Sequence, residues 1–267
     1  MSDYFLFNDN IEYDLLSGIN YKDLNKKIIS KKYSKRAKIW LEFVTHCKVN
    51  RKNLVILIGG ASNSGKSSWS IELSKRLGIK NLIQTDTIRN NVRKNNIKDK
   101  TSLIHKSSYR CWEKYRSNFS KKAQIKGFIN QSKILMPYID NLILESSNNG
   151  QFTIIEGIHL MPSMIDLKKY KSTIFIELFF HVKDSKLALK RMLKRTKSNY
   201  LNRIPEKYLS HNESFNTLKL YLLDEAKNSR DNKIIDNIDA NKTLDSIFNF
   251  IYIKVNKVIK KSKSNLA

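Results

Sequence analysis

Apolar residues along this chain gather in short runs, and between the runs they recur every three or four positions. Leu54 to Ile58 is unbroken, Phe152 to Ile155 leads directly into Glu156, and Leu82 to Thr85, Thr173 to Val182 and Lys233 to Asp236 are further runs of strand length. Apolar segments this short, bounded by polar turns, predict strands covered on both faces. The intervening stretches carry the helical period. From about Ser67 to Leu77, Trp69, Leu73 and Leu77 stand four apart and are expected on a buried face, with Gly78 as the left-handed stop. A helix begins near Asp86, more helix follows through Tyr109 to Tyr115 and Ala123 to Ser146, and Gly150 closes that stretch. Helices are also predicted at Ser185 to Thr196 and Glu206 to Ser229. The last, about Thr243 to Lys260, aligns Leu244, Ile247, Phe248, Ile251, Val255, Val258 and Ile259 on one stripe. Strands alternating with helices predict an α/β fold, a parallel five-stranded sheet flanked by helices. No internal period of 20 to 50 residues recurs, which excludes a repeat architecture.

The ends read differently. Residues 1–53 are polar, lysine-rich and helical in pattern, with Ile39, Leu41, Phe43 and Val44 as a short apolar face, and are expected to form a helical N-terminal extension. A main domain over 54–260 and a fraying basic tail at 261–267 complete the expected organisation. With 267 residues and 40% apolar content, the chain has material for a sizeable core, which excludes wholesale disorder. Met1 to Phe7 carries an acid where a leader would carry positive charge, and no apolar run approaches the roughly 18 residues of a membrane span. Cys47 and Cys111 form neither a CxxC pair nor a disulfide framework. A cytoplasmic, non-membrane protein is the expectation. The net charge of +26 would attract phosphates or nucleic acid. Yet 39 lysines against 11 arginines, spread along an asparagine- and isoleucine-rich chain, match compositional drift better than a recognition stripe.

Chemistry concentrates after the first strand. Gly60-Ala61-Ser62-Asn63-Ser64-Gly65-Lys66-Ser67, continuing into Ser68, fits GxxxxGKS between a predicted strand and helix, the context that a phosphate-binding P-loop needs. Its glycines let backbone N–H groups turn inward, and the helix start adds partial positive charge. Lys66 is expected to reach the β and γ phosphates of ATP and to act in catalysis, and the Ser67 hydroxyl to join a magnesium shell. Glu156, at the carboxyl end of a predicted strand, is expected to hold magnesium or to orient the attacking hydroxyl.

Asp86 also follows a strand, with Arg89 and Arg93 three and seven residues on, so one helix face carries all three. A carboxylate beside two guanidinium groups suits an acceptor that loses a hydroxyl proton while its own anionic groups are clamped. Ser107, Ser108, Tyr109 and Arg110 form a donor cluster able to meet the same anion. Arg191 and Arg195, four apart, have the spacing of lid arginines that swing over the nucleotide as the phosphoryl group transfers. His159 and His181 have no histidine or cysteine at metal spacing, so packing is their ordinary role.

Several stretches together carry a resemblance. Ile58 to Ser68 (IGGASNSGKSS), Thr85 to Arg93 (TDTIRNNVR), Ser107 to Trp112 (SSYRCW), Gly127-Phe128, Glu156 to Pro162 (EGIHLMP), Arg191 with Arg195, Lys207-Tyr208-Leu209 and Asp236-Asn237 are similar in order and spacing to the archaeal 2-phosphoglycerate kinase family of P-loop kinases. The resemblance implies a P-loop kinase fold, with ATP and magnesium used to phosphorylate the free hydroxyl of 2-phosphoglycerate and give 2,3-bisphosphoglycerate. The acceptor's phosphate and carboxylate would give Arg89, Arg93 and Arg110 a purpose, and His159, within EGIHLMP, joins the expected substrate-binding residues. This chain departs from the family where an Ile-Arg pair is usual and Phe215-Asn216 stands instead, which removes one anion contact. Residues 1–53 are also too short for the nucleotide-responsive N-terminal domain that many members carry. That leaves open a different acceptor, such as a nucleoside or an RNA 5′ end, or a nucleotide-dependent module that binds nucleic acid.

Overall fold

The strand β1, Asn53–Gly60, is buried along its whole length, as its unbroken apolar run demands. It is the middle of a five-stranded sheet with β2, Asn81–Gln84, β3, Thr153–Glu156, β4, Thr173–His181, and β5, Asn232–Asp236. The strand order is β2-β3-β1-β4-β5, and every neighbouring pair is parallel. The computed structural model describes residues 35–99, 101–184, 187–188, 190–191, 210–229 and 231–264.

Successive side chains of a strand face opposite ways, so β1 divides its residues between two layers. Leu54, Ile56 and Ile58 join Ile154, Ile176, Leu178 and Phe180 on one face, under helices α1, Lys35–Val49, α2, Lys66–Leu77, and α6, Ala240–Ser264. Val55, Leu57 and Ile155 face the other way, toward α3, Thr85–Asn95, and α4, Lys121–Asn148. Helix α5, Asn212–Asn228, packs Leu218, Leu222 and Ala226 against Phe128 and Phe179. The stripe expected on the last helix is buried as Leu244, Ile247, Phe248, Ile251, Val255 and Ile259, with Val258 partly covered.

Some expectations are revised. Within the expected N-terminal extension, α1 buries Trp40, Leu41, Phe43, Val44 and Cys47 in the main core. Its apolar face is therefore larger than the four residues first picked out, and Arg36 bonds Asn249 of α6 at 2.6 Å. Trp69 is half-buried, while Ser70, one position on, is buried beside Leu73 and Leu77. The tryptophan is held at the rim by a hydrogen bond from its indole N–H to Asn237 at 3.0 Å. The predicted helix at Tyr109 to Tyr115 is a 3₁₀ segment, Ser108–Lys114. It lies so close on α4 that a Cβ at Gly127 would stand 2.4 Å from the Cys111 carbonyl oxygen. The last helix runs on to Ser264, past the predicted end at Lys260. Most of the helix expected at Ser185 to Thr196, and the first residues of that expected from Glu206, lie outside the described residues. Among the described residues no helix is long and apolar enough to cross a membrane.

Candidate active site

The P-loop leaves the carboxyl end of β1 and turns through Asn63 at φ +63° and Gly65 at φ +92° before α2 begins at Lys66. Left-handed positions within such a loop aim consecutive backbone N–H groups at one point, a preformed anion cradle. The chain packs too closely here for side chains. A Cβ at Gly60 would stand 2.3 Å from the Phe180 carbonyl oxygen, and one at Gly65 would stand 2.1 Å from Asn237 Nδ2.

That asparagine, just past β5, clips the loop in place. Its Nδ2 donates to the Ser64 carbonyl at 2.8 Å, and its Oδ1 accepts from Trp69 Nε1 at 3.0 Å and Thr243 Oγ1 at 3.3 Å. Site reasoning from sequence missed Asn237 as a loop brace. The available signal was its position immediately after the carboxyl end of a predicted strand.

Parallel register places Glu156 opposite Ile58, and the carboxylate is 4% exposed. Ser67 Oγ donates to Glu156 Oε1 at 3.0 Å. A hydroxyl and a buried carboxylate next to the loop are all-oxygen donors of the kind a hard divalent cation takes.

A cavity of about 200 Å³ opens in front of the loop. Ser62, Asn63, Lys66 and Ser67 line it from one side, Asp86 and Arg89 of α3 from another, and Ser107, with Ser108 and Tyr109 of the 3₁₀ segment that follows it, from a third; Ile158, Phe215 and Leu218 complete the wall. Asp86 and Arg89 face each other at 3.7 Å, and Arg89 Nη1 also donates to the Lys106 carbonyl at 3.3 Å. Phe215 stacks on Tyr109 with ring centroids 4.5 Å apart, so the Phe215-Asn216 departure gives this wall an aromatic face.

Other expected site residues lie elsewhere. Arg93 is exposed and is not among the cavity residues, since seven positions carry it about 10 Å along the helix axis. Arg110 is exposed and paired with Glu113, which also binds Lys106. Burial pushes the Glu113 carboxyl up, but the hydrogen bonds from Arg110 and Lys106 outweigh it and hold the group below the ordinary glutamate range. Ser68 is exposed. Arg191 donates to the carbonyls of Asn237 and Ile238 at 2.5 and 3.2 Å, which ties it to the loop after β5. Arg195 and the Lys207-Tyr208-Leu209 match lie outside the described residues. His159 is wholly buried, which leaves it no contact with an acceptor. Burial, with the positive charges of Arg89 and Lys66, draws its ring down to about 3 against the pull of Asp86. His181 packs at the end of β4, 4.0 Å from Asp236.

A larger depression, about 710 Å³, lies at the amino ends of the strands, against Trp40, Cys47, Lys48, Arg51, Lys52 and Lys80. Parallel sheets bind ligands at the opposite ends, where the P-loop, Glu156 and Asp86 all lie.

The 2-phosphoglycerate kinase of Methanocaldococcus jannaschii is 30% identical to this chain over 245 residues, which are 90% of this chain and 77% of that one. The chain belongs to the 2-phosphoglycerate kinase family. Other members include those of Pyrococcus furiosus, 30% identical over 236 residues, 88% of this chain and 76% of that protein, and Methanopyrus kandleri, 28% identical over 229 residues, 86% and 68%. No family model matches the chain. Among solved structures, dephospho-CoA kinase from Campylobacter jejuni aligns with 80% of this chain and 98% of its own length, at 14% identity and a TM-score of 0.39.

Proposed function

We propose that this family member transfers the γ-phosphoryl group of ATP to the free hydroxyl of 2-phosphoglycerate, giving 2,3-bisphosphoglycerate and ADP. The observation that carries the reading is a shared wall: Lys66 and Ser67 of the P-loop line the same small cavity as Asp86 and Arg89. A donor phosphate in the loop and an acceptor on α3 are thereby held within reach of direct transfer, and phosphoryl transfer is catalysed chiefly by positioning and charge.

In this reading the loop amides and Lys66 hold the β and γ phosphates. Arg89, with Ser107, Ser108 and Tyr109, binds the acceptor's phosphate and carboxylate. Asp86 accepts the hydroxyl proton as that oxygen bonds to the γ-phosphorus and the bridge to ADP breaks. Ser67 and Glu156 are the residues that would hold magnesium, which when bound neutralises charge on the β and γ oxygens. Arg191 serves the nucleotide side by bracing the loop after β5 that carries Asn237. Helix α1 folds as one unit with the sheet, because it shares the main core with α6.

Mg-ATP with 2-phosphoglycerate should yield ADP and one new bisphosphorylated product, read by mass. ATP turnover that ignores 2-phosphoglycerate would defeat the acceptor assignment. The Tyr109–Phe215 stack favours one second reading, a nucleoside acceptor whose base rests on that aromatic wall. Nucleosides in the same assay decide between the two.

A further inference from the structure

His159 sits behind the acceptor cavity, three residues after Glu156, and its surroundings determine where its proton lies. Gln131 Nε2 stands 2.8 Å from the carbonyl oxygens of both Leu103 and Lys106. Carbonyls only accept, so that atom is the amide nitrogen, and Gln131 Oε1 is the atom turned toward the ring, 3.1 Å from His159 Nε2. An amide oxygen also only accepts, so Nε2 carries the proton. In a neutral ring Nδ1 then accepts, and the Thr85 hydroxyl 3.1 Å away donates to it. Ser108 Oγ lies 3.3 Å from Nε2 as a second partner, and Phe128 stacks on the ring face at 5.6 Å.

We propose that His159 is a positioning residue for the phosphoryl acceptor: its neutral, Nε2-protonated ring locks the first turn of α3 to the segment carrying Ser107, Ser108 and Tyr109, so that Asp86, Arg89 and Ser108 face one cavity. The proposal rests on the acceptor reading above. The hydrogen bonds close a loop that begins and ends on α3. Thr85 donates to His159, His159 to Gln131, and Gln131 to the Lys106 carbonyl, which also accepts from Arg89 Nη1. Arg89 is thus held from behind by the same ring that anchors Thr85, the residue before Asp86. Packing alone would be served at lower cost by an apolar side chain, since each buried polar atom must be matched. A fully matched network instead specifies one arrangement of the elements that it joins. Gly157 belongs to the same fit, because a Cβ there would stand 1.7 Å from Thr85 Oγ1.

The test pairs spectroscopy with kinetics on the full chain. Nitrogen-15 NMR of the wild-type imidazole should show a neutral Nε2–H ring from pH 8 to pH 5. Thr85→Ser keeps the donor and should stay within about twofold of wild type in both KM values, whereas Thr85→Val, which keeps the volume, and His159→Gln should raise the 2-phosphoglycerate KM about tenfold with the ATP KM held within about twofold. An Nδ1–H or charged ring at pH 6, or equal acceptor KM values in Thr85→Ser and Thr85→Val, overturns the proposal. Arg89→Ala run alongside separates the two failures. A raised acceptor KM there with none in Thr85→Val sinks the positioning role alone, and an unchanged acceptor KM in Arg89→Ala sinks the acceptor pocket and the positioning role with it. If His159→Gln does not fold, the Thr85 pair and the wild-type spectrum decide.

Discussion

Replacing Asn237 with alanine isolates how much of the P-loop's shape is imposed from outside the loop. The side chain bridges three elements, donating to Ser64 in the loop and accepting from Trp69 on α2 and from Thr243 on α6. An ordinary intramolecular hydrogen bond contributes about 1 kcal/mol net, and a buried group left unmatched costs about 1–3 kcal/mol. Thr243 is fully buried while Trp69 stands at the rim, where water can replace part of what is lost. The expected loss for Asn237→Ala is therefore about 2–3 kcal/mol, or a melting temperature lower by roughly 5–10 °C for a chain of this size. Because the freed segment is Ser64-Gly65, the ATP KM should rise about tenfold or more while the acceptor KM changes little. Asn237→Asp sharpens the test. It keeps both acceptor contacts but sets a carboxylate oxygen against the Ser64 carbonyl, next to the expected phosphates, so ATP affinity should fall further than stability does. Calorimetry and steady-state kinetics on both variants suffice. A melting temperature within 1 °C of wild type together with an unchanged ATP KM would refute the bracing role.

Lys66→Ala should lower kcat by at least about a hundredfold with little change in melting temperature, because its ammonium is expected on the transferring phosphate; an unchanged rate removes Lys66 from the site. Stability should also fall as pH drops from 6.5 toward 5. The His159 ring titrates near 3 in the fold against 6.5 in the unfolded chain, so the unfolded state binds the extra proton throughout that window, and His46 and His181, also lowered, act with the same sign. Urea midpoints should show a slope of up to about 1.4 kcal/mol per pH unit from His159, and His159→Gln should flatten it. Gly127→Ala forces Cys111 and the 3₁₀ segment off α4, and should cost about 1–3 kcal/mol and raise the acceptor KM by moving Ser108; a wild-type melting temperature would show that the contact yields freely.

The element pattern was legible in the chain because its physics is local. An unbroken apolar run such as Leu54 to Ile58 has few stable fates other than a doubly covered strand, and the four-residue spacing after Lys66 has few other than a helix. The 3₁₀ geometry of Ser108–Lys114 was not legible, since what tightens it is the backbone contact across Gly127, sixteen residues from Cys111. The core role of α1 escaped for a related reason. Trp40, Phe43 and Cys47 show their burial only once α6, two hundred residues away, is laid against them.

At the site the division is the same. Residues 60–67 announce a phosphate cradle by themselves, because strand, glycine turn and helix lie within one short stretch, while the brace from Asn237 that holds the turn comes from across the fold. Asp86 and Arg89, one helical turn apart, could be paired from their spacing. Arg93 falls outside the cavity lining because of its distance along α3, and Arg110 pairs with Glu113 three residues on, but that His159 lies behind the cavity was decided by the tertiary structure. That outcome depends on what packs across the gap, and contacts such as Gln131 on His159 or Asn237 on Ser64 join positions that the linear chain holds far apart. Local order came from neighbours along the chain, and the arrangement of the candidate chemistry came from neighbours across the fold.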